Sequence, residues 1–174
     1  SYPEKARQWV LMPGNSRVRC KELIADNERL EQEAAASRFN RYTEGTDKRM
    51  GIIASGIAYN YLMENYPDGC PYPVLKISQY PLPKALVRRL AEECGELLVI
   101  EEGQPFIEQA VRGVLPAPLK ICGRLTGELP RTGELTPDSV RAALGLAPHR
   151  AHAASEIVVP RPPALCQGCG HRDM

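Results

Sequence analysis

The chain has 174 residues, with 22 Lys and Arg against 21 Asp and Glu and a formal net charge of +1. That length suits one domain with appendages. Residues 1–47 carry eight charges of each sign and residues 48–147 eleven of each, so no stretch has the basic excess that a nucleic-acid partner requires.

There is no apolar run of about 18 residues, which excludes a membrane-spanning helix. The chain opens Ser-Tyr-Pro-Glu-Lys, without an initiator Met or signal-peptide core, and stops at Asp173-Met174. These ends predict a piece cut from a longer polypeptide. The cysteines at 20, 70, 94 and 122 have no paired spacing, which suits reduced thiols, small packed side chains and a cytoplasmic location.

In chain order, Trp9-Val-Leu-Met12, ended by Pro13-Gly14, predicts a short extended docking segment. Asn15 and Ser16 are candidate caps for a helix reaching about Phe39, with Cys20, Leu23, Ile24, Leu30 and Ala34 on a thin apolar stripe. Such a helix packs on another domain or lies across the surface as an arm. Asn40 to Lys48 has loop composition.

Gly51-Ile-Ile-Ala-Ser55 then predicts a buried strand, because no polar residue alternates within it. Ser55 is a candidate cap for the helix that follows, and Gly56 permits that helix to start close to the sheet. The unit repeats. Val74–Ser78 and 97–101 predict strands, each followed by a helix that opens with proline, at Pro83 and Pro105. Residues 119–122 predict a short fourth strand. Thr136, Pro137 and Gly145 frame a short helix as cap, first residue and stop. Ala147 to Ala164 is rich in Ala, His and Pro and reads as an interdomain linker. Strands alternating with helices predict an α/β fold, a three-layer α/β/α sandwich on a mostly parallel sheet. Its strand order is not fixed by the pattern, and function belongs at its carboxyl edge.

Three groups of residues invite chemistry. Glu101-Glu102 ends a strand, where a carboxylate pair could do acid–base work, but the simpler expectation is that Glu102 interacts with the amino end of the next helix. Adjacent strand residues point to opposite faces, so the pair should not share a proton. Gly51, Ser55 and Gly56 suggest a phosphate loop, yet there is no Gly-x-Gly-x-x-Gly and no P-loop lysine, and a tight turn explains the glycines. His149 and His152 lie in the linker without a nucleophile at motif spacing. Cys166-Gln-Gly-Cys169-Gly-His171 is the strongest local signal. A C-x-x-C turn can place two thiolates on one metal. Spacing alone leaves zinc, an iron–sulfur cluster, a redox dithiol and a pair of free thiols open.

Taken together, Gly51-Ile-Ile-Ala-Ser-Gly-Ile-Ala-Tyr59, Val74-Leu-Lys-Ile77 with Tyr80-Pro-Leu-Pro83, Val99-Ile-Glu-Glu102 with Pro105-Phe-Ile-Glu108, Gly133-Glu-Leu-Thr-Pro137 and Arg161-Pro-Pro-Ala-Leu-Cys-Gln-Gly-Cys-Gly-His-Arg172 form a series in order. The chain resembles the middle of the large (alpha) subunit of indolepyruvate:ferredoxin oxidoreductases, within the 2-oxoacid:ferredoxin oxidoreductase family. The resemblance implies a helical connecting arm from a preceding domain at 1–47 and a transketolase C-terminal-like domain at 48–147. Residues 148–174 would be the linker and the start of the thiamine-diphosphate-binding domain. It also implies a parent enzyme dependent on thiamine diphosphate and [4Fe–4S] clusters. That parent would oxidatively decarboxylate aryl 2-oxo acids to acyl-CoA, pass electrons to ferredoxin, and pair with a beta subunit.

By the same resemblance, Cys166 and Cys169 match cluster ligands of related pyruvate enzymes. No catalytic residue is assigned, and the cofactor-binding residues are not identified in this stretch. Neither cofactor is expected to be bound here, and no turnover is expected from this stretch alone. Two other readings are a binding module for a small anion of the CoA type and a zinc-stapled interaction domain.

Overall fold

Proline is tolerated in the first turn of a helix, because the N–H it lacks has no intrahelical acceptor there. Pro13 takes that position, so Pro13-Gly14 opens helix α1 (Pro13–Ala36) instead of closing the segment before it. The residue preceding α1 is the extended Met12, and Asn15 and Ser16 lie inside its first turn. The computed structural model describes residues 10, 12–116, 118–149, 155–157 and 159. Trp9 and Leu11 of the expected docking segment, and His152 with most of the linker, lie outside the described residues.

Helix α1 has 24 residues and is therefore about 36 Å long. Along its apolar stripe Ala34 is buried, whereas Cys20, Leu23 and Ile24 are exposed. The expectation that each scattered cysteine is packed fails at Cys20 for this reason. The carboxyl end of α1 is clamped by Asn40, a buried side chain that uses both ends of its amide. Its Nδ2 donates to the carbonyls of Ala34 and Gln79, both at 2.9 Å, and its Oδ1 accepts from the N–H groups of Ser78 (2.8 Å) and Gln79 (2.9 Å).

The stretch from Asn40 to Lys48 is not all loop. Arg41–Thr43 form strand β1, which pairs antiparallel with β3 (Val74–Ile77). Such a short edge strand carries little hydrophobic signal of its own, and its pairing is supplied by the partner. Strand β2 (Met50–Ser55), helix α2 (Ile57–Glu64), helix α3 (Lys84–Glu93) and strand β4 (Glu96–Ile100) fall where the apolar runs place them. Helix α4 (Phe106–Val114), strand β5 (Lys120–Cys122) and helix α5 (Pro137–Ala143) complete the series. Pro83 and Pro105 precede α3 and α4 as their cap residues, one position earlier than expected. Thr136 caps α5 as anticipated, accepting from the Ser139 N–H at 3.2 Å.

The strand order is β1-β3-β2-β4-β5, with β3, β2, β4 and β5 parallel. The chain steps from β2 outward to β3, then crosses back over β2 to reach β4. One crossover hand requires those opposite steps to place their helices on opposite faces. The core shows this arrangement. Ile52, Ala54, Leu98 and Ile100 pack with Ala58, Tyr59 and Leu62 of α2 and Val140 of α5. Ile53, Leu75, Leu97 and Val99 pack with Val87 and Leu90 of α3 and Ile107 and Val111 of α4 on the other face. The result is a three-layer α/β/α domain.

The edge strand is held to α3 by charge. Glu93 accepts from Lys48 Nζ (2.5 Å), Arg89 Nε (2.8 Å) and the Tyr42 hydroxyl (2.9 Å). These donors, Lys48 foremost, hold the Glu93 carboxyl down at about 2. A depressed carboxyl adds stability above its unfolded value, about 4.3, and that stability is lost as pH falls toward the folded value. Chemical denaturation followed between about pH 5 and pH 2 should therefore show a shallower acid loss in Glu93→Gln than in the wild type. Parallel acid limbs would show that these contacts do not hold β1.

Candidate functional site

In a doubly wound sheet the strand connections diverge at one point, and the crevice there is the usual ligand position. Here it lies between the carboxyl ends of β2 and β4, since β2 leads toward β3 and β4 leads toward β5. Its walls are Ser55-Gly56 on one side and Glu101-Glu102-Gly103 on the other.

Ser55 was expected to cap α2, but Gly56 is the cap residue and no side chain bonds to the helix end. Gly56 sits at φ +56°, a conformation in which a Cβ is strained, and a Cβ there would meet open space. Its role is to turn the chain. Gly51 is not in the turn at all. It lies within β2 under Leu90, whose Cγ would stand 2.8 Å from an added Cβ.

On the opposite wall the two carboxylates diverge, as the strand alternation predicts, but their roles are exchanged. Glu101, not Glu102, holds the amino end of α4, accepting from the N–H groups of Ile107 (2.8 Å) and Glu108 (2.9 Å). Strand β4 ends at Ile100, and Gly103 at φ +80° lies in the connection between Glu101 and the start of α4. Glu102 instead accepts from the Leu135 N–H at 2.8 Å, tying β4 to the segment that precedes α5.

A second buried carboxylate stands behind the first. Glu108 is fully buried and accepts from Arg112 Nη2 (2.8 Å) and the Leu125 N–H (3.0 Å). It reaches the chain after β5 because Gly123 has no side chain: a Cβ there would lie 2.5 Å from Glu108 Oε2. Arg124, only 2% exposed, donates to the carbonyls of Glu101 (3.3 Å) and Gly133 (3.0 Å). Its Nε has no hydrogen-bond partner among the described residues. Arg124 was not singled out from the sequence, and Glu108, quoted only within the Pro105-Phe-Ile-Glu108 match, and Gly123 were given no such role. A glutamate between Ile107 and Val111 on the buried stripe of α4, with Arg112 one turn on, was the available signal.

Burial holds the Glu101 carboxyl above its ordinary value against the two N–H donors, and the nearby Glu108 charge adds to the rise. All the hydrogen bonds of Glu101, Glu102 and Glu108 named above are to backbone N–H groups or to Arg112. The arrangement ties the β4–α4 connection and α4 to the connection between β5 and α5, and commits the buried carboxylates of Glu101 and Glu108 to the backbone and Arg112. Burial also raises the thiols of Cys94 and Cys122, away from nucleophilic use.

Each parallel strand is followed at this edge by an exposed apolar side chain. They are Ile57 after β2, Tyr80 after β3, Phe106 after β4 and Leu125 after β5. The Tyr80 and Phe106 rings meet edge to face, with centroids 5.7 Å apart. Of the other candidates, His149 pairs at the surface with Asp138, at 2.8 Å. Cys166, Cys169 and His171 lie outside the described residues. Among the described residues no three His, Cys, Asp or Glu side chains gather as a metal site, and no helix is long and apolar enough to cross a membrane.

Replacing Glu101 with Gln leaves one of the two α4 N–H groups without an acceptor, which should cost about 1–3 kcal/mol. Because the folded Glu101 value is raised, its contribution is fullest below the unfolded value, about 4.3, and declines as pH rises through the folded one. The stability gap between wild type and Glu101→Gln, measured by urea denaturation, should thus be largest at acid pH and narrow toward neutrality. A gap that widens with pH would mean that the ionised carboxylate is the favoured form.

No family model matches the chain. It is similar to indolepyruvate oxidoreductase subunit IorA of Methanothermobacter marburgensis, 34% identical over 99% of this chain and 30% of that protein. The subunits of the same name from Archaeoglobus fulgidus and Pyrococcus abyssi are 33% and 28% identical, over 93% and 99% of this chain. The chain spans about 30% of the length of the curated relatives it matches. With the α/β order already on the page, these alignments make the chain a relative of one segment of the indolepyruvate oxidoreductase subunit IorA.

Proposed function

We propose that this chain is the scaffold segment of an oxidoreductase of the indolepyruvate type, positioning neighbouring domains and making no bonds itself. The parent would use thiamine diphosphate and [4Fe–4S] clusters to convert aryl 2-oxo acids to acyl-CoA, with ferredoxin as acceptor and a beta subunit as partner. Residues 1–47 would be the arm from the preceding domain, 48–147 the transketolase C-terminal-like body, and 148–174 the lead into the diphosphate-binding domain. Similarity along 99% of the chain to subunits of that name is the observation that carries the reading.

Two features of the edge support it. Both carboxylates at the switch point accept from the protein's own backbone, and Glu101 is buried in doing so. The exposed Ile57, Tyr80, Phe106 and Leu125 give that edge an apolar surface of the kind that another domain covers. The remaining length of the longer relatives is the natural occupant. Cys166 and Cys169 would supply two metal ligands once the rest of the set is in place, with the metal held by thiolates as a cluster requires.

Calorimetric titration of the chain with thiamine diphosphate and magnesium, and with CoA, should give no saturable heat. Sub-millimolar binding of either would overturn the scaffold reading in favour of a ligand module. Elemental analysis after aerobic purification should find well under one metal per chain. About one zinc per chain, lost together in Cys166→Ser and Cys169→Ser, would identify a zinc-stapled domain instead.

A further inference from the structure

Helix α1 carries its charges in the reverse of the order that a helix dipole favours, which is acids toward the amino end and bases toward the carboxyl end. Residues 13–23 hold Arg17, Arg19 and Lys21 against Glu22, whereas residues 24–36 hold Asp26, Glu28, Glu31 and Glu33 against Arg29. No acid lies in the first turn and no base in the last. Arg17 and Lys21 stand one turn apart, a like-charge pair that disfavours an isolated helix. Neither they nor Glu28 has an ion-pair partner among the described residues.

The apolar side of the helix is only partly covered. Cys20, Leu23, Asn27, Leu30 and Ala34 alternate by three and four positions, the spacing with which two helices pack along a seam. The carboxyl end of that stripe rests on the body, with Ala34 buried and Leu30 half-buried. Toward the amino end every residue from 16 to 29 is exposed, Leu23 at 59% and Ile24 at 58%.

Turned end for end, the helix complements itself. The basic and acidic groups lie on either side of Leu23-Ile24. A two-fold axis at that point sets the basic half of one copy against the acidic half of the other, and the two dipoles oppose. A parallel pair would instead bring like halves together. We propose that α1 pairs antiparallel with α1 of a second copy of this chain, crossing at Leu23 and Ile24. Such a contact is isologous and closes at two chains. It uses none of the carboxyl-edge residues, so its failure leaves the scaffold reading standing.

Sedimentation equilibrium of the full chain tests it. A reversible dimer is expected, with a Kd on the order of 10–100 μM. Raising the salt from roughly 50 mM to roughly 0.5 M should weaken it severalfold. The double variants Arg17→Glu/Lys21→Glu and Asp26→Lys/Glu28→Lys should each lose at least about tenfold in self-association, and an equimolar mixture of the two should pair again. That rescue separates lost pairing from lost folding. Leu23→Gln should weaken the dimer by about tenfold without changing the melting temperature at concentrations where the chain is monomeric. Monomers throughout, up to roughly 500 μM, would assign the stripe to a neighbouring domain and overturn the proposal. A dimer indifferent to both charge reversals, a mixture that does not pair, or a dimer that salt strengthens would overturn it as well.

Discussion

A carboxylate that cannot reach water must be given donors by the fold, and Glu101 has its two from the first turn of α4. The position of α4 follows from that bond pair, because the helix cannot shift without uncovering either the carboxylate or its own amino end. Arg124 then grips the Glu101 carbonyl and reaches Gly133, while Glu108 on α4 reaches the chain after β5. The β4–α4 and β5–α5 connections are thus tied together around the two positions that follow β4. Elsewhere on this fold the same place commonly serves ligands. Here Glu101 is taken up by the protein's own backbone, and the edge presents Ile57, Tyr80, Phe106 and Leu125 outward beside the exposed Glu102.

This division gives the segment its character. The edge that faces outward carries Ile57, Tyr80, Phe106 and Leu125, suited to burial against another folded surface. Helix α1 is joined to the body by the Asn40 clamp and by Glu31, which pairs with Lys84 of α3, and it carries Leu23 and Ile24 exposed on the stripe that is buried only at Ala34.

Much of the fold was legible because its strands are buried on both faces. Runs such as Ile52–Ala54 and Leu97–Ile100 have no alternation to confuse them, and the prolines and glycines between them mark the turns. Strand β1 was not legible, since three residues on an edge take their conformation from a partner more than thirty positions away. The exchange of roles between Glu101 and Glu102 was hidden for a related reason. Which of two adjacent carboxylates meets the helix depends on where the strand ends and how the glycine turn swings the chain, and one residue of register decides it. The roles of Glu108 and Arg124 were hidden because each reaches a backbone group of the connection after β5, which only the folded chain brings near. The metal-type motif at Cys166 and Cys169 was plain in the sequence and lies outside the described residues.

Native-state hydrogen exchange at the amides of Ile107, Glu108, Leu125 and Leu135 bears most directly on the claim that the carboxyl edge is locked by carboxylates in structural use. If Glu101, Glu102 and Glu108 hold those amides throughout, the four should exchange only with global unfolding, at the same free energy as the amides of β2 and β4. Exchange through a local opening several kcal/mol below the global value would contradict it. The edge would then be a mobile crevice with its carboxylates free to act on a ligand.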